Sequence, residues 1–400
     1  GNYLYVYAKS KFFDEKYQTP WGNAINFKNK NVRKFFIDNA LYWLKEYHFD
    51  GLRLDAIHAV HDDSEPDILE ELSSQVQQTF GKDRHIHLML ENDNNEARYL
   101  EKSGYSAQWN DDFHHCIHIL TTNETDGYYE DYTLSKTQKP VSYYLARTLS
   151  EGFAYQGEKS HYRNNKPRGG KSSHLSPLKF INFIQNHDQV GNRAFGERIT
   201  LLSDIDLIKA TACLYLLSPS IPMIYMGEEW GCTTPFYFFC DFNEELSLAV
   251  KNGRRKEFSK FPQFNDPKII ESIPDPSDEK TFAGSKLNWS ELENISNKEI
   301  LNFYKLLLNI RKEQIIPIIN NIKKSKFDVI NDMALQVLWE LENDEKKLKV
   351  IANFSKDVLK IEDISKKTHL VAISNSHSKD FLINEKILPT KTVCWLTEPF

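Results

Sequence analysis

The chain has no pair of cysteines at CxxC spacing; its five, Cys116, Cys213, Cys232, Cys240 and Cys394, are scattered and odd in number. That excludes a disulfide framework or a cysteine zinc site as the organising principle, and free thiols in a reducing, cytoplasmic setting are expected. Long apolar runs are missing too: none approaches the roughly 20 residues a membrane-spanning helix needs. Basic residues are not in excess, since 50 Lys and Arg stand against 56 Asp and Glu for a net charge of −6. Such a balance gives no footprint for nucleic acid or anionic lipid as a partner. The absence of GxGxxG, P-loop and GxSxG patterns removes support for dinucleotide, nucleotide and serine-hydrolase chemistry. HExxH is absent as well: between His114 and His118 stand His115, Cys116 and Ile117, none of them an acid, so these histidines read as structural and no metal is expected. The opening GNYLYVYAKSKFFDEKY lacks the basic-then-apolar order of a signal peptide. No internal repeat or low-complexity tract is visible.

What the chain does have is aromatics, 25 Phe, 19 Tyr and 7 Trp, which suit a large core and also sugar-stacking platforms. It also has three acidic motifs: FDGLRLDAIH with Asp55, HLMLEN with Glu91, and FINFIQNHDQVGNR with Asp188. In each, an apolar run delivers a carboxylate where the run gives way to polar residues. Three such runs interleaved with helical segments point to acids gathered at the C-terminal mouth of a parallel β/α barrel. Paired carboxylates there are the equipment of glycoside hydrolysis. Arg53 and Asp55, two apart on a strand, project to the same side, and a guanidinium keeps a nucleophilic carboxylate ionised. A structural Arg–Asp pair at a strand end fits that motif equally well. Glu91 follows an apolar strand with no cation adjacent in sequence, which suits a general acid, although a solvated strand-end Glu reads the same way. Asn186, His187 and Asp188 form a polar cluster able to grip sugar hydroxyls, or an ordinary turn.

Along the chain, residues 1–28 read as turn-like, with TPWGNAINF as a loop, and residues 31–48 as a helix. Residues 62–80 read as a second helix, with Asp63 or Ser64 as its cap and Pro66 in its first turn. The basic stretch 157–175 reads as a surface loop. Helices are expected at 141–156, 203–217 and 297–312. Strands ending near Ala56, Asn92, Asn110, Asp188 and Glu228 make five, whereas a closed barrel has eight. From about 320 the pattern turns to alternating antiparallel strands. The expected division is therefore a barrel portion over 1–318 and a small β domain over 319–400.

GLRLDA, LMLEN and FIQNHDQ resemble motifs of the alpha-amylase superfamily of glycoside hydrolases. TPWGNAINF, NALYWLKEYHFDGLRLDAIHAV, SAQWNDDFHH, IQNHDQVGNRAFGERI and IPMIYMGEEWG are closer still to one branch of it, the maltooligosyltrehalose trehalohydrolases, over roughly residues 1–312. The resemblance implies a (β/α)8-type TIM barrel and retaining hydrolysis of an α-1,4-glucosidic bond, releasing trehalose from an oligosaccharide end. By motif position Asp55 is the nucleophile, Glu91 the acid/base, and Asp188 the binder of the distorted sugar's hydroxyls. Arg53 orients Asp55, while Asn186 and His187 contact the sugar. His58, Trp109, Asn110, Asp111 and Trp21 are further substrate-binding candidates. No cofactor is implied. The resemblance places the start of this chain after the family's third strand, so a fragment lacking an N-terminal segment is expected. A branching enzyme, a general α-glucanase and a non-catalytic glucan-binding remnant are the alternatives.

Overall fold

The computed structural model describes residues 8–399 except 9–10, 20, 102, 260, 262–263, 265, 343–345, 362–366 and 376–377. The opening GNYL lies outside the described residues. Packing divides the chain into two units: residues 1–113 with 147–182, and residues 114–146 with 183–400.

In the first unit four strands run parallel. Gly51–Leu54 pairs with His87–Leu90, which pairs with Ala107–Trp109, which pairs with Phe180–Asn182. Gly51 leaves no room for a side chain beside the second strand: a Cβ on it would lie 2.3 Å from the His87 carbonyl oxygen. Helices Lys30–Glu46 and Ile68–Phe80 supply the apolar cover, with Ile37, Leu44, Leu69, Leu72 and Val76 packed in one core with Leu88 and Leu90 of the sheet. Each such side chain contributes about 1.5–3 kcal/mol on burial. The first helix is capped by Asn29, whose side chain accepts from Asn31 N at 3.0 Å.

Two local expectations are corrected here. The second helix begins at Ile68 and is capped by Asp67, whose carboxylate accepts from Glu70 N at 2.9 Å. Residues 62–64 stay outside it because Asp62 turns its carboxylate to Ser64 N, Ile68 N and Arg33. The segment read as a loop near TPWGNAINF instead holds an antiparallel hairpin, Phe13–Thr19 with Gly22–Ile25, closed where Thr19 pairs with Gly22. Its residues are mostly half-exposed, so it carries little of the apolar alternation by which strands are recognised.

The second unit holds the short strand Ile221–Pro222, at the fifth expected position, and the helix Ile205–Leu217. That helix is buried on nearly all sides, is capped by Asp204, and is closed by Arg311, which donates to Leu216 O in its last turn at 2.9 Å and to Ser220 O just beyond it at 2.7 Å. The C-terminal sheet is antiparallel and five-stranded, in the order Ile322–Asn331, Ala334–Leu341, Lys346–Asn353, Thr392–Pro399, His369–Ile373. It lies against the buried helix, where the Trp395 indole donates to Cys213 O at 3.0 Å. Among the described residues no helix is long and apolar enough to cross a membrane.

Candidate active site

The first unit brings Asp55 and Glu91 together at the C-terminal ends of adjacent parallel strands. Arg53 joins them: its guanidinium pairs with Asp55 and lies 3.5 Å from Glu91 Oε2. The same guanidinium stacks over the Trp109 ring at 4.1 Å, so three neighbouring strands fix its position. The cation that the sequence around Glu91 lacks is thus supplied in space. Asp55 is open, with 72% of its side chain exposed, while Glu91 is recessed at 18%.

The turn after Asp55 is shaped for this. Ala56 sits in the left-handed region at φ 47°, an uncommon conformation for a residue with a Cβ. Its N–H donates to Glu91 Oε2 at 2.5 Å, while Ile57 N donates to Glu91 O at 3.1 Å. His58 follows on the same turn and accepts from Asp93 N at 3.4 Å. A cleft of about 640 Å³ opens beside Asp55, with Trp21, Asn23, Trp43, Arg53 and Ile57 among its walls. Trp21 presents a largely exposed ring there, 71% accessible.

The residues after Trp109 are enclosed. Asn110 is buried, and its amide donates to Gly152 O and Asn182 Oδ1, both at 3.0 Å, bracing the sheet. Burial, with Asp93, Glu91 and Asp112, pushes the Asp111 carboxyl up to about 8 against the pull of Arg168. Sequence reading missed the groups beside it. Asp93 pairs with both Arg163 and Arg168, and Arg168, in the stretch expected as a surface loop, is only 4% exposed. No local signal marks it, because its partners lie far away in the chain.

The second unit carries the third motif. Asn186 caps the short helix His187–Gly191, its side chain accepting from Gln189 N at 2.8 Å. His187 Nε2 lies 3.2 Å from Asp188 Oδ2, and both side chains are about half exposed. Tyr128 fixes Gln189 through a 3.0 Å hydrogen bond. Arg193 is gripped by both oxygens of Glu124, which also bonds His118 at 2.7 Å. Burial pushes His114 and His118 below the ordinary imidazole value, in keeping with structural roles. Among the described residues no group of three His, Cys, Asp or Glu has the arrangement of a metal site.

This geometry meets independent likenesses. Residues 13–320 match the family model for the alpha amylase catalytic domain. The chain is 41% identical over 322 residues to the malto-oligosyltrehalose trehalohydrolase of Saccharolobus solfataricus, covering 78% of this chain and 52% of that one. With the Deinococcus radiodurans enzyme of the same name the identity is 37% over 341 residues, covering 85% and 54%. The chain thus spans about half the length of these curated relatives. A crystal structure of an alpha-amylase-like chain from Salmonella typhimurium superposes with a TM-score of 0.89 at 35% identity, covering 100% of this chain and 65% of that one. The chain belongs to the alpha-amylase family of glycoside hydrolases and, within it, is similar to malto-oligosyltrehalose trehalohydrolases.

Proposed function

We propose that this chain carries the catalytic carboxylates of a retaining α-glucan hydrolase that releases trehalose from the end of a malto-oligosyltrehalose. The observation that carries the reading is the sharing of one guanidinium, Arg53, between Asp55 and Glu91 on adjacent strand ends. That compact pairing suits the roughly 5 Å carboxyl separation of retaining enzymes. The names of the relatives that align over most of the chain support the choice of substrate.

In this reading Glu91 donates its proton to the glycosidic oxygen as Asp55 attacks the anomeric carbon. The bond to the departing trehalose breaks and a glycosyl ester forms on Asp55. Glu91, now ionised, takes a proton from water, and the resulting nucleophile displaces Asp55 with a second inversion, giving net retention. Arg53 pairs with Asp55 and orients it. Asp188, His187 and Asn186 keep the hydroxyl-binding role that motif position gives them, and Trp21 and Trp109 are the aromatic candidates beside Asp55 and Arg53.

The test is incubation of the purified chain with trehalose-capped and uncapped malto-oligosaccharides, followed by product chromatography. Trehalose from the capped substrate with little cleavage of the uncapped is expected. Equal cleavage of both makes it a general α-glucanase. Binding of both without cleavage makes it a glucan-binding protein and overturns the reading.

A further inference from the structure

The residues following Glu91 do not end in an open loop. Four consecutive carbonyls are occupied: Asn92 O accepts from Gln108 Nε2 at 3.0 Å, Asp93 O from Arg163 and Arg168 at 2.9 Å each, Asn94 O from Gly169 N at 3.1 Å and Asn95 O from Gly170 N at 3.0 Å. Three of the four are therefore held by one segment, residues 163–170. Arg163 adds a 2.8 Å bond to Asn94 Oδ1 and pairs with the Asp93 carboxylate. Gly169 is obligatory for this approach: at φ 82°, any Cβ would lie 1.8 Å from Tyr155 O.

Arg168 is the centre of the arrangement. It reaches Asp93 Oδ1 at 3.2 Å on one side and Asp112 Oδ1 at 2.8 Å on the other. Asp112 is fully buried and is itself fixed by Asn95 Nδ2 at 2.9 Å and Ala154 N at 2.7 Å. The guanidinium also lies 5.5 Å from the centre of the Tyr155 ring. A buried cation between two carboxylates, bonded as well to a backbone carbonyl, has only one geometry that satisfies all its donors. A lysine keeps the charge but cannot make these contacts together. The groups facing Glu91 and its turn are Arg53, Asp55, His58, Asp93, Asp111, Asp112, Arg163 and Arg168, so four other carboxyls surround one proposed proton donor.

We propose that Arg168 is a positioning residue for Glu91, locking the turn 91–95 so that the acid/base carboxyl meets the departing oxygen. This rests on the reading of Glu91 as acid/base. Arg168 touches no reacting atom; it acts through Asp93 and the turn backbone. Misplacing a proton donor hurts most when the leaving group needs protonation.

Leaving-group dependence separates this from a merely structural role. The substrates are a malto-oligosyltrehalose and α-maltosyl fluoride, whose fluoride departs without a proton from the protein. Arg168→Gln is expected to lose about 100-fold in kcat/KM on the oligosaccharide, with KM within about threefold, and less than about tenfold in kcat/KM on the fluoride, a ratio that reports formation of the glycosyl ester and not its hydrolysis. Arg168→Lys recovers part of the loss on the oligosaccharide. Should Arg168→Gln not fold, Arg163→Gln, which removes an outer and more exposed hold on the same turn, is expected to show the same pattern more weakly. Amide exchange should rise in 91–95 and stay unchanged in Ile205–Leu217. Equal losses on both substrates, or unchanged exchange in 91–95, overturn the proposal. Glu91→Gln tells the two failures apart: if its kcat/KM shows no leaving-group dependence, the acid/base reading itself is wrong. If it does and Arg168→Gln does not, only the positioning role fails.

Discussion

The backbone N–H of Ala56 donates to the Glu91 carboxylate across 2.5 Å, so the residue that follows one proposed catalytic acid holds the other. The link is reinforced by Glu91 N donating to Leu54 O at 3.0 Å and Ile57 N to Glu91 O at 3.1 Å. Two carboxylates on separate strands therefore behave as one rigid unit, which is what an acid and a nucleophile acting on the same bond require. The strained Ala56 conformation is the local cost of that coupling.

Arg53 is the second link between the acids, and replacing it tests whether the link matters for chemistry. Arg53→Lys keeps the charge but cannot span Asp55 and Glu91 while stacking on Trp109. Steady-state kinetics should show kcat lower by about 100-fold, corresponding to roughly 2.7 kcal/mol of lost transition-state stabilisation. KM should change little.

Glu228 gives a pH signature of stability. It is buried, accepting from Tyr215 at 2.5 Å and Tyr304 at 3.1 Å, and burial pushes its carboxyl up to about 7. An unfolded Glu ionises near its ordinary value, so between that value and about 7 the folded chain keeps a proton that the unfolded chain has lost. The group's contribution is therefore intact in acid and is lost as pH rises, by up to roughly 3 kcal/mol above the folded value. Denaturant melts of Glu228→Gln and the parent at pH 5 and pH 8 check this. The substitution should cost clearly more at pH 5 than at pH 8.

The turn carrying Asp188 depends on Arg193 and Glu124. The ion pair, with the His118 bond, holds the Glu124 carboxyl well below its usual range. Arg193→Met should cost roughly 1–2 kcal/mol, a modest figure because Glu124 is 42% exposed. Since the Glu124 value is depressed, that difference is present above the ordinary carboxylate value and fades as pH falls through it. If sugar hydroxyls are gripped by Asp188, the variant also raises KM by several-fold. Thermal melts and kinetics on one preparation read both.

Most of what positions Asp55 and Glu91 was legible in the chain, for a physical reason. Runs such as GLRL and HLML are largely apolar and partly buried, and they end abruptly at a carboxylate, so period and boundary are both written locally. The helix cap at Asp67 was misjudged because four acids and one serine crowd residues 62–67, and only the fold decides which of them faces an orphan N–H. Arg168 was illegible for the opposite reason. Its neighbours Lys166, Pro167, Gly169 and Gly170 describe a solvated turn, while its partners are Asp93, 75 residues away, and Asp112, in the first turn of the helix Asp111–Thr122. The hairpin near Trp21 was lost because its strands bury few apolar side chains.

The central claim is that Asp55 forms a covalent bond to sugar while Glu91 manages the proton. The most direct measurement is peptide mapping by mass spectrometry of Glu91→Gln after brief exposure to α-maltosyl fluoride. Fluoride leaves unaided, and the variant lacks the base that would activate water, so the glycosyl ester should accumulate. A maltosyl adduct on the peptide containing Asp55 is the expected result. An adduct on another carboxylate, or β-configured free maltose released in a burst with no adduct, would contradict the account.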